Sequence, residues 1–306
     1  MRPRRRPNAT LAPPRGLILD IRRNVTDEGP GSRTVVLLKG CPLRCLWCHA
    51  PDGDPGDAEH FPLYRALCNN CYNCLIGGQP TAENLSHHCK RCGSCVETCA
   101  QSACSSIGRR TEVADLLELL EQDRAGSANP GGLTIAGGEP MAQFGFTAAL
   151  LNDAHDRRIH TCLVTSGVAR PDQFDQVLED VDLFIFDYKS TDELEHIHLT
   201  AISNDQILDN FDLLYHHGCR IVLRCPLLPG VNDTDSHLRG IARMTRNYPK
   251  IESVQFACQP PAARCHALEL GGAFAPPGVK LATAVDIKRW TAKLREHGCT
   301  HRVWMK

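Results

Sequence analysis

Cys41, Cys45 and Cys48 stand in the spacing C-x3-C-x2-C, close enough for one short loop to set three thiolates around an iron-sulfur cube. A four-iron four-sulfur (4Fe-4S) cluster ordinarily takes four thiolates, so three leave one iron free to bind a substrate. A zinc site completed by His49 is the competing chemistry, although zinc favours paired C-x2-C knuckles. Further along, Cys89, Cys92, Cys95 and Cys99 follow C-x2-C-x2-C-x3-C, the spacing of bacterial ferredoxins. Cys68, Cys71 and Cys74 repeat its first three positions, with Gly78 where a fourth cysteine would stand. In two-cluster ferredoxins the fourth cysteine of each run ligates the other cluster. Cys99 therefore completes a set with Cys68, Cys71 and Cys74, while Cys89, Cys92 and Cys95 look to Cys104, or to His87 or His88. One or two auxiliary 4Fe-4S clusters are expected. They either relay single electrons or staple a loop-rich segment with too little core of its own.

Seventeen cysteines in 306 residues, eleven of them between Cys41 and Cys104, would suit a disulfide framework only in a small exported chain. The length, the tight spacing and an N-terminus without an apolar core point to metal thiolates in a cytoplasmic protein. The other six, Cys162, Cys219, Cys225, Cys258, Cys265 and Cys299, lie mostly in or beside apolar runs and read as buried, inert thiols. Lys+Arg 34 against Asp+Glu 35 gives a net charge of -1, which excludes a globally basic nucleic-acid binder. No run approaches the roughly 18 apolar residues of a membrane helix. Neither nucleic acid nor membrane is expected as a partner.

These residues need a scaffold, and hydrophobic periodicity supplies one. Val113, Leu116, Leu117 and Leu120 share a helix face, as do Phe174, Val177, Leu178 and Val181. Ser203-Asn204-Asp205-Gln206 has the pattern of a capping box ahead of Ile207, Phe211 and Leu214, with Gly218 ending that helix. Ile287, Trp290 and Leu294 mark a last one. Short apolar runs at 35–38, 133–136, 162–164, 183–186, 221–223 and 254–257 read as six strands. Such alternation implies a parallel sheet with right-handed crossovers. Six units are fewer than a closed barrel takes, so the α/β fold expected is a partial (β/α)6 barrel, with a doubly wound open sheet as the alternative. The domains read as a disordered Arg- and Pro-rich tail at 1–16, the barrel at 17–62 and 110–306, and a ferredoxin-like insertion at 63–109.

In such folds chemistry gathers at the carboxyl ends of the strands. There the six strands run into GCPLRCLWCH (Gly40 to His49), Gly137-Gly138-Glu139-Pro140, Thr165-Ser166-Gly167, Asp187-Tyr188-Lys189, Arg224-Cys225-Pro226 and Cys258-Gln259. The first of these, preceded by Asp27-Glu28-Gly29-Pro30-Gly31-Ser32-Arg33, resembles the radical S-adenosylmethionine (SAM) superfamily, and within it the activating enzymes of glycyl radical enzymes. The resemblance runs from about Gly16 to Met305. It implies that the cluster's free iron chelates the methionine moiety of SAM. It further implies that Trp47, Cys48, His49, Gly137, Gly138, Glu139, Thr165, Ser166, Asp187, Tyr188, Lys189 and Arg224 bind the cofactor. The backbone of Gly137-Gly138-Glu139-Pro140 and Glu139 would hold the amino group. Leu199 to Asn204 and the Pro229-Gly230-Val231-Asn232-Asp233 loop also match. Taken alone, the glycine pair could be a turn, and Asp187 with Lys189 a surface salt bridge.

The implied activity is reductive cleavage of SAM to a 5'-deoxyadenosyl radical, which takes a hydrogen atom from a glycine of a partner glycyl radical enzyme. No side chain is then a catalytic acid, base or nucleophile. A low-potential donor such as flavodoxin or ferredoxin supplies the electron. Two departures stand out. Val164 occupies the position where the family carries Asp, and Gln259 is the nearest substitute for a histidine the family shows after the sixth strand. They leave open a radical enzyme acting on another peptide or small molecule. The remaining alternative is a non-enzymatic electron carrier, although a carrier has no need of a vacant iron.

Overall fold

A computed structural model describes residues 14–48, 98–101, 108–126, 130–258 and 280–306. The chain opens with β1 (Arg15–Val25) and β2 (Ser32–Leu38), and after the cysteine-rich stretch resumes at β3 (Arg109–Glu112) and α1 (Val113–Gly126). Strands and helices then alternate: β4 (Pro130–Gly137), α2 (Phe144–Asp156), β5 (Thr161–Thr165), α3 (Pro171–Val177) and β6 (Leu183–Asp187). Two helices follow, α4 (Glu193–Thr200) and α5 (Asp205–His216), before β7 (Ile221–Pro226) and α6 (Asp235–Asn247). The chain closes with β8 (Ser253–Ala257), α7 (Ala284–Glu296) and β9 (Arg302–Met305).

All nine strands form one sheet in the order β3-β1-β2-β4-β5-β6-β7-β8-β9. From β2 to β9 every neighbouring pair is parallel, while β1 is antiparallel to both β2 and β3. The result is an open, partial barrel. Side chains alternate along each strand, and the two faces have different cores. Val36, Leu38, Leu133, Ile135, Leu163, Phe184, Phe186, Leu223 and Phe256 face the helices and pack with Leu117, Leu150, Phe211 and Trp290. Val35, Ala136, Cys162, Val164, Leu183, Ile185 and Val222 form a smaller inner cluster, against which Trp304 packs.

The six expected strands are β2 and β4 to β8. The sheet adds β1, β3 and β9. Arg15 and Gly16, assigned to the tail, open β1 by pairing with Glu112 and Thr111, and Arg109, assigned to the insertion, opens β3. The helix read through Val181 ends at Val177, because a 3-10 turn at Leu178–Asp180 tightens the chain before β6. Val181 is extended yet buried in the same core. The expected capping box before α5 is not formed. Asn204 holds the cap position without a side-chain bond to the helix, its Nδ2 donating to Ser190 O and Thr191 O, and Ser203 Oγ accepts from Asp205 N at 3.1 Å and donates to Glu193. A capping box that joins Thr283 and Asp286 opens α7.

Candidate active site

Gly40, with φ +94, turns the chain out of β2 into the three-cysteine loop. The carboxyl end of α4 holds that loop: Arg44 N donates to Thr200 O at 2.8 Å and Leu46 N to Leu199 O at 2.9 Å. Carbonyls that a helix end leaves without a partner are thereby satisfied. Cys48 N closes the loop on Cys45 O at 2.9 Å, and Trp47 is buried against Leu199 and Leu228. Burial pushes the Cys41 thiol up to about 12, helped by Glu139, and the Cys45 thiol up to about 11, with Cys48 and Asp187 adding to the effect. Lys189 opposes both shifts. Thiols so placed are poor thiolates until a cation joins them, and metal binding is what removes their protons. Among the described residues no three His, Cys, Asp or Glu side chains converge on one point as ligands of a single ion must. A cluster asks for less, since each thiolate takes a different iron.

The glycine pair closes the site from the β4 side. A Cβ on Gly138 would lie 2.1 Å from Gly40 O and 3.3 Å from Cys41 Cβ, so only glycine lets this turn lie against the loop. Gly138 N donates to Leu38 O and Glu139 N to Gly40 O, at 2.9 and 2.8 Å. The Glu139 carboxylate is fully buried and accepts four bonds, from Met141 N, Thr165 Oγ1, Ser166 N and Ser166 Oγ. Four is what a carboxylate can take. Glu139 therefore clips the β4 turn to the end of β5 and, as placed, has no lone pair left for an amino group. Burial raises its pKa while the four donors lower it.

Asp187 and Lys189 project from the end of β6 toward the cysteines. Lys189 Nζ donates to Asp187 Oδ2 at 2.7 Å, and the two side chains are only 9% and 20% exposed. This is a buried pair, not a surface one. Burial works to lower the Lys189 pKa, but Asp187 and the two thiols outweigh it and hold it above the ordinary value. Asp187 Oδ1 is buried and accepts no hydrogen bond; Arg224 Nε lies 4.0 Å away. Behind the pair, Asn232 donates to Lys189 O and Pro226 O, tying the Pro-Gly loop to two strand ends.

A family model of the radical SAM superfamily matches residues 35–239. The chain belongs to that superfamily. Radical SAM proteins bind a 4Fe-4S cluster and SAM, and this one stands among those named as activating enzymes. It is 36% identical over 245 residues to an isethionate sulfite-lyase activating enzyme of Oleidesulfovibrio alaskensis, covering 75% of this chain and 79% of that one. It is 35% identical to a choline trimethylamine-lyase activating enzyme of the same organism, covering 76% and 79%. A radical SAM methyltransferase from Sphaerobacter thermophilus shares the fold, with a TM-score of 0.55 over 96% of this chain and 77% of that one at 14% identity.

Not every residue expected in the radical SAM site lies at the rim. Tyr188 points to the opposite face, between Asp187 and Lys189 in sequence but buried in the helix-covered core. Its hydroxyl donates to Thr191 Oγ1 at 3.1 Å and its ring lies against His237. Alternation along a strand makes this unavoidable. Arg224 does face the interior, where Nε donates to Gln255 Oε1 at 2.7 Å and Nη2 to the Glu28 carboxylate. Neither Glu28 nor Gln255 had been assigned a role, although Gln255 follows from the period of β8. Val164 sits in the apolar inner cluster, so hydrocarbon stands where the family carries a carboxylate. His49, Gln259, Cys68, Cys71, Cys74, Cys89, Cys92, Cys95, Cys104, His87 and His88 lie outside the described residues, and of the insertion's cysteines Cys99 alone falls within them, half-buried. Among the described residues no helix is long and apolar enough to cross a membrane.

Proposed function

We propose that this chain activates a glycyl radical enzyme, holding its cluster on Cys41, Cys45 and Cys48 and SAM on the surrounding rim. The observation that carries this reading is the convergence of a three-thiol loop, a glycine turn that only glycine permits, and a buried Lys189–Asp187 pair with one acceptor oxygen to spare. When bound, the cluster and SAM supply a one-electron cleavage to methionine and a 5'-deoxyadenosyl radical, which takes hydrogen from a glycine Cα of the partner. The chain's own residues bind and orient. The backbone of Gly137 and Gly138 and the Thr165–Ser166 turn would line the methionine end, with Glu139 as the clip that holds them. Lys189 would offset negative charge on the thiolates, and Asp187 Oδ1 would accept from the cofactor's donor groups. Trp47, Leu199 and Leu228 exclude water behind the loop.

The electron would come from a low-potential flavodoxin or ferredoxin, and residues 63–109 would hold one or two auxiliary clusters on the cysteines and histidines already named. A cytoplasmic setting suits such oxygen-sensitive thiolate chemistry. The apolar setting of Val164 supports a second reading, a radical SAM enzyme whose substrate is another peptide or a small molecule. The test uses anaerobically reconstituted full-length protein, reduced with SAM present, and follows 5'-deoxyadenosine. Release that disappears in Cys45→Ala supports cofactor cleavage, and a glycyl radical signal with an added glycyl radical enzyme supports the first reading over the second. No release from protein with a full iron complement would overturn both and leave an electron carrier.

A further inference from the structure

The loop between β1 and β2 runs through the barrel interior. Thr134 Oγ1 on β4 donates to Glu28 O at 2.7 Å, and Gln255 Nε2 on β8 donates to Asp27 O at 3.2 Å. Glu28 is thereby carried across to β7, where its Oε2 meets Arg224 Nη2. Its other oxygen, Oε1, is taken by Lys306 Nζ. The register explains how a residue beyond β9 arrives there. Asp187, Arg224, Gln255 and Trp304 are lateral neighbours on β6, β7, β8 and β9. Trp304 packs on the inner cluster, and Lys306, two residues on, takes the same side of the strand while its N–H holds Phe256 O at 3.0 Å. A polar path therefore runs from Lys306 through Glu28 to Arg224, whose Nε stands 4.0 Å from Asp187, and Asp187 is bonded in turn to Lys189 beside the cysteine loop.

We propose that Lys306 is a positioning residue for the SAM site, acting through Glu28 on the orientation of Arg224. The inference rests on the reading of the site given above. An arginine facing a free carboxylate closes on it with two parallel bonds. Here Lys306 occupies one Glu28 oxygen, so Arg224 reaches Glu28 with a single Nη2 and keeps Nε for Gln255. That split fork stops 4.0 Å short of Asp187, whose Oδ1 stays without a hydrogen bond. Remove the ammonium, and Arg224 is free to turn its fork onto Glu28, dropping Gln255 and changing the charge that Asp187 feels. The groups facing Lys306 are Glu28 and Asp27 from the loop and Arg22 from β1, and Arg224 of β7 lies across Glu28 from it. Burial lowers its pKa, Asp27 opposes that and Arg22 adds to it.

The test has two arms on reconstituted full-length protein. The first is amine labelling of Lys306 as a function of pH, read by mass spectrometry, in the wild type and Glu28→Gln. Loss of the Glu28 charge is expected to lower the labelling pKa measurably; identical curves would show that no such contact exists. The second is SAM affinity by equilibrium dialysis from neutral to alkaline pH. Lys306→Met is expected to weaken binding by roughly tenfold at neutral pH, on the scale at which a displaced positioning group acts, and Lys306→Arg to restore most of it. The wild type should lose affinity as Lys306 deprotonates, whereas Lys306→Arg should not, since guanidinium does not titrate there. Equal affinity in all three, or no rescue by arginine, overturns the proposal. If the wild type binds no SAM, the reading of the site has failed instead, and the labelling arm still decides whether the Lys306–Glu28 contact is real.

Discussion

The two faces of one sheet divide the labour, and β6 and β7 show it within a few residues. Asp187, Lys189 and Arg224 face inward and carry buried charge, whereas Tyr188 and Cys225, interleaved with them, are sealed among Phe186, Leu223 and the helices. Burial raises thiol pKa on both faces. It takes Cys45 to about 11 at the rim and Cys225 well above the ordinary value in the helix-covered core. A raised pKa therefore marks burial, not function. What separates the two thiols is company: Cys45 has two other loop cysteines and a buried ammonium beside it, whereas Cys225 has the apolar core, one further thiol in Cys299, and the Asp187 carboxylate but no ammonium.

The largest expected effect breaks this comparison directly. Cys45→Ala should abolish deoxyadenosine release and lower the iron bound, while Cys225→Ala should leave iron content alone and cost about 1–2 kcal/mol of stability, the usual scale for trimming a small buried side chain. Equal iron loss in both would erase the distinction. Next comes the inner pair. Lys189→Met leaves Asp187 as an uncompensated buried charge and is expected to cost roughly 3–5 kcal/mol in denaturant unfolding. Adding Asp187→Asn to it should recover part of that loss; an additive double variant would mean that the two side chains do not interact.

Smaller effects probe the outer face. His237 is buried with its Nε2 accepting and donating no bond, and burial drives its pKa down to about 3. Below about pH 6.5 the unfolded chain takes up a proton that the folded chain refuses. Stability should therefore fall as pH drops from there toward 3, and His237→Gln should flatten that part of the curve measured by urea titration. Tyr188→Phe loses only the bond to Thr191, a change of about 1 kcal/mol. A marked drop in SAM affinity in that variant would return Tyr188 to the rim.

The strands that could be read in advance are those whose residues bury two faces and so form continuous apolar runs, such as Leu183 to Phe186. β1, β3 and β9 escaped because they lie at or near the sheet's edges. The apolar residues of β1 give way to Arg22-Arg23, β3 opens on Arg109-Arg110, and β9 is half exposed. Their pairing is decided by partners far away in the chain, which local pattern does not contain. The same holds at the site. The glycine turn was visible as a motif, but the four donors that use up Glu139 come from two separate turns.

Sequence alone determined the chemistry on offer: three thiols within eight residues and the strand ends that carry polar residues. Spacing along the chain is enough for that, because a loop of that length cannot hold its cysteines far apart. Only the tertiary structure decided which neighbours share a face. It turned Tyr188 away from Asp187 and Lys189, saturated Glu139, and brought Glu28 to Arg224 across 196 residues of chain and to Lys306 across 278. Contacts between such distant positions follow from strand register and the closing of the sheet, and those exist only once the whole barrel has formed.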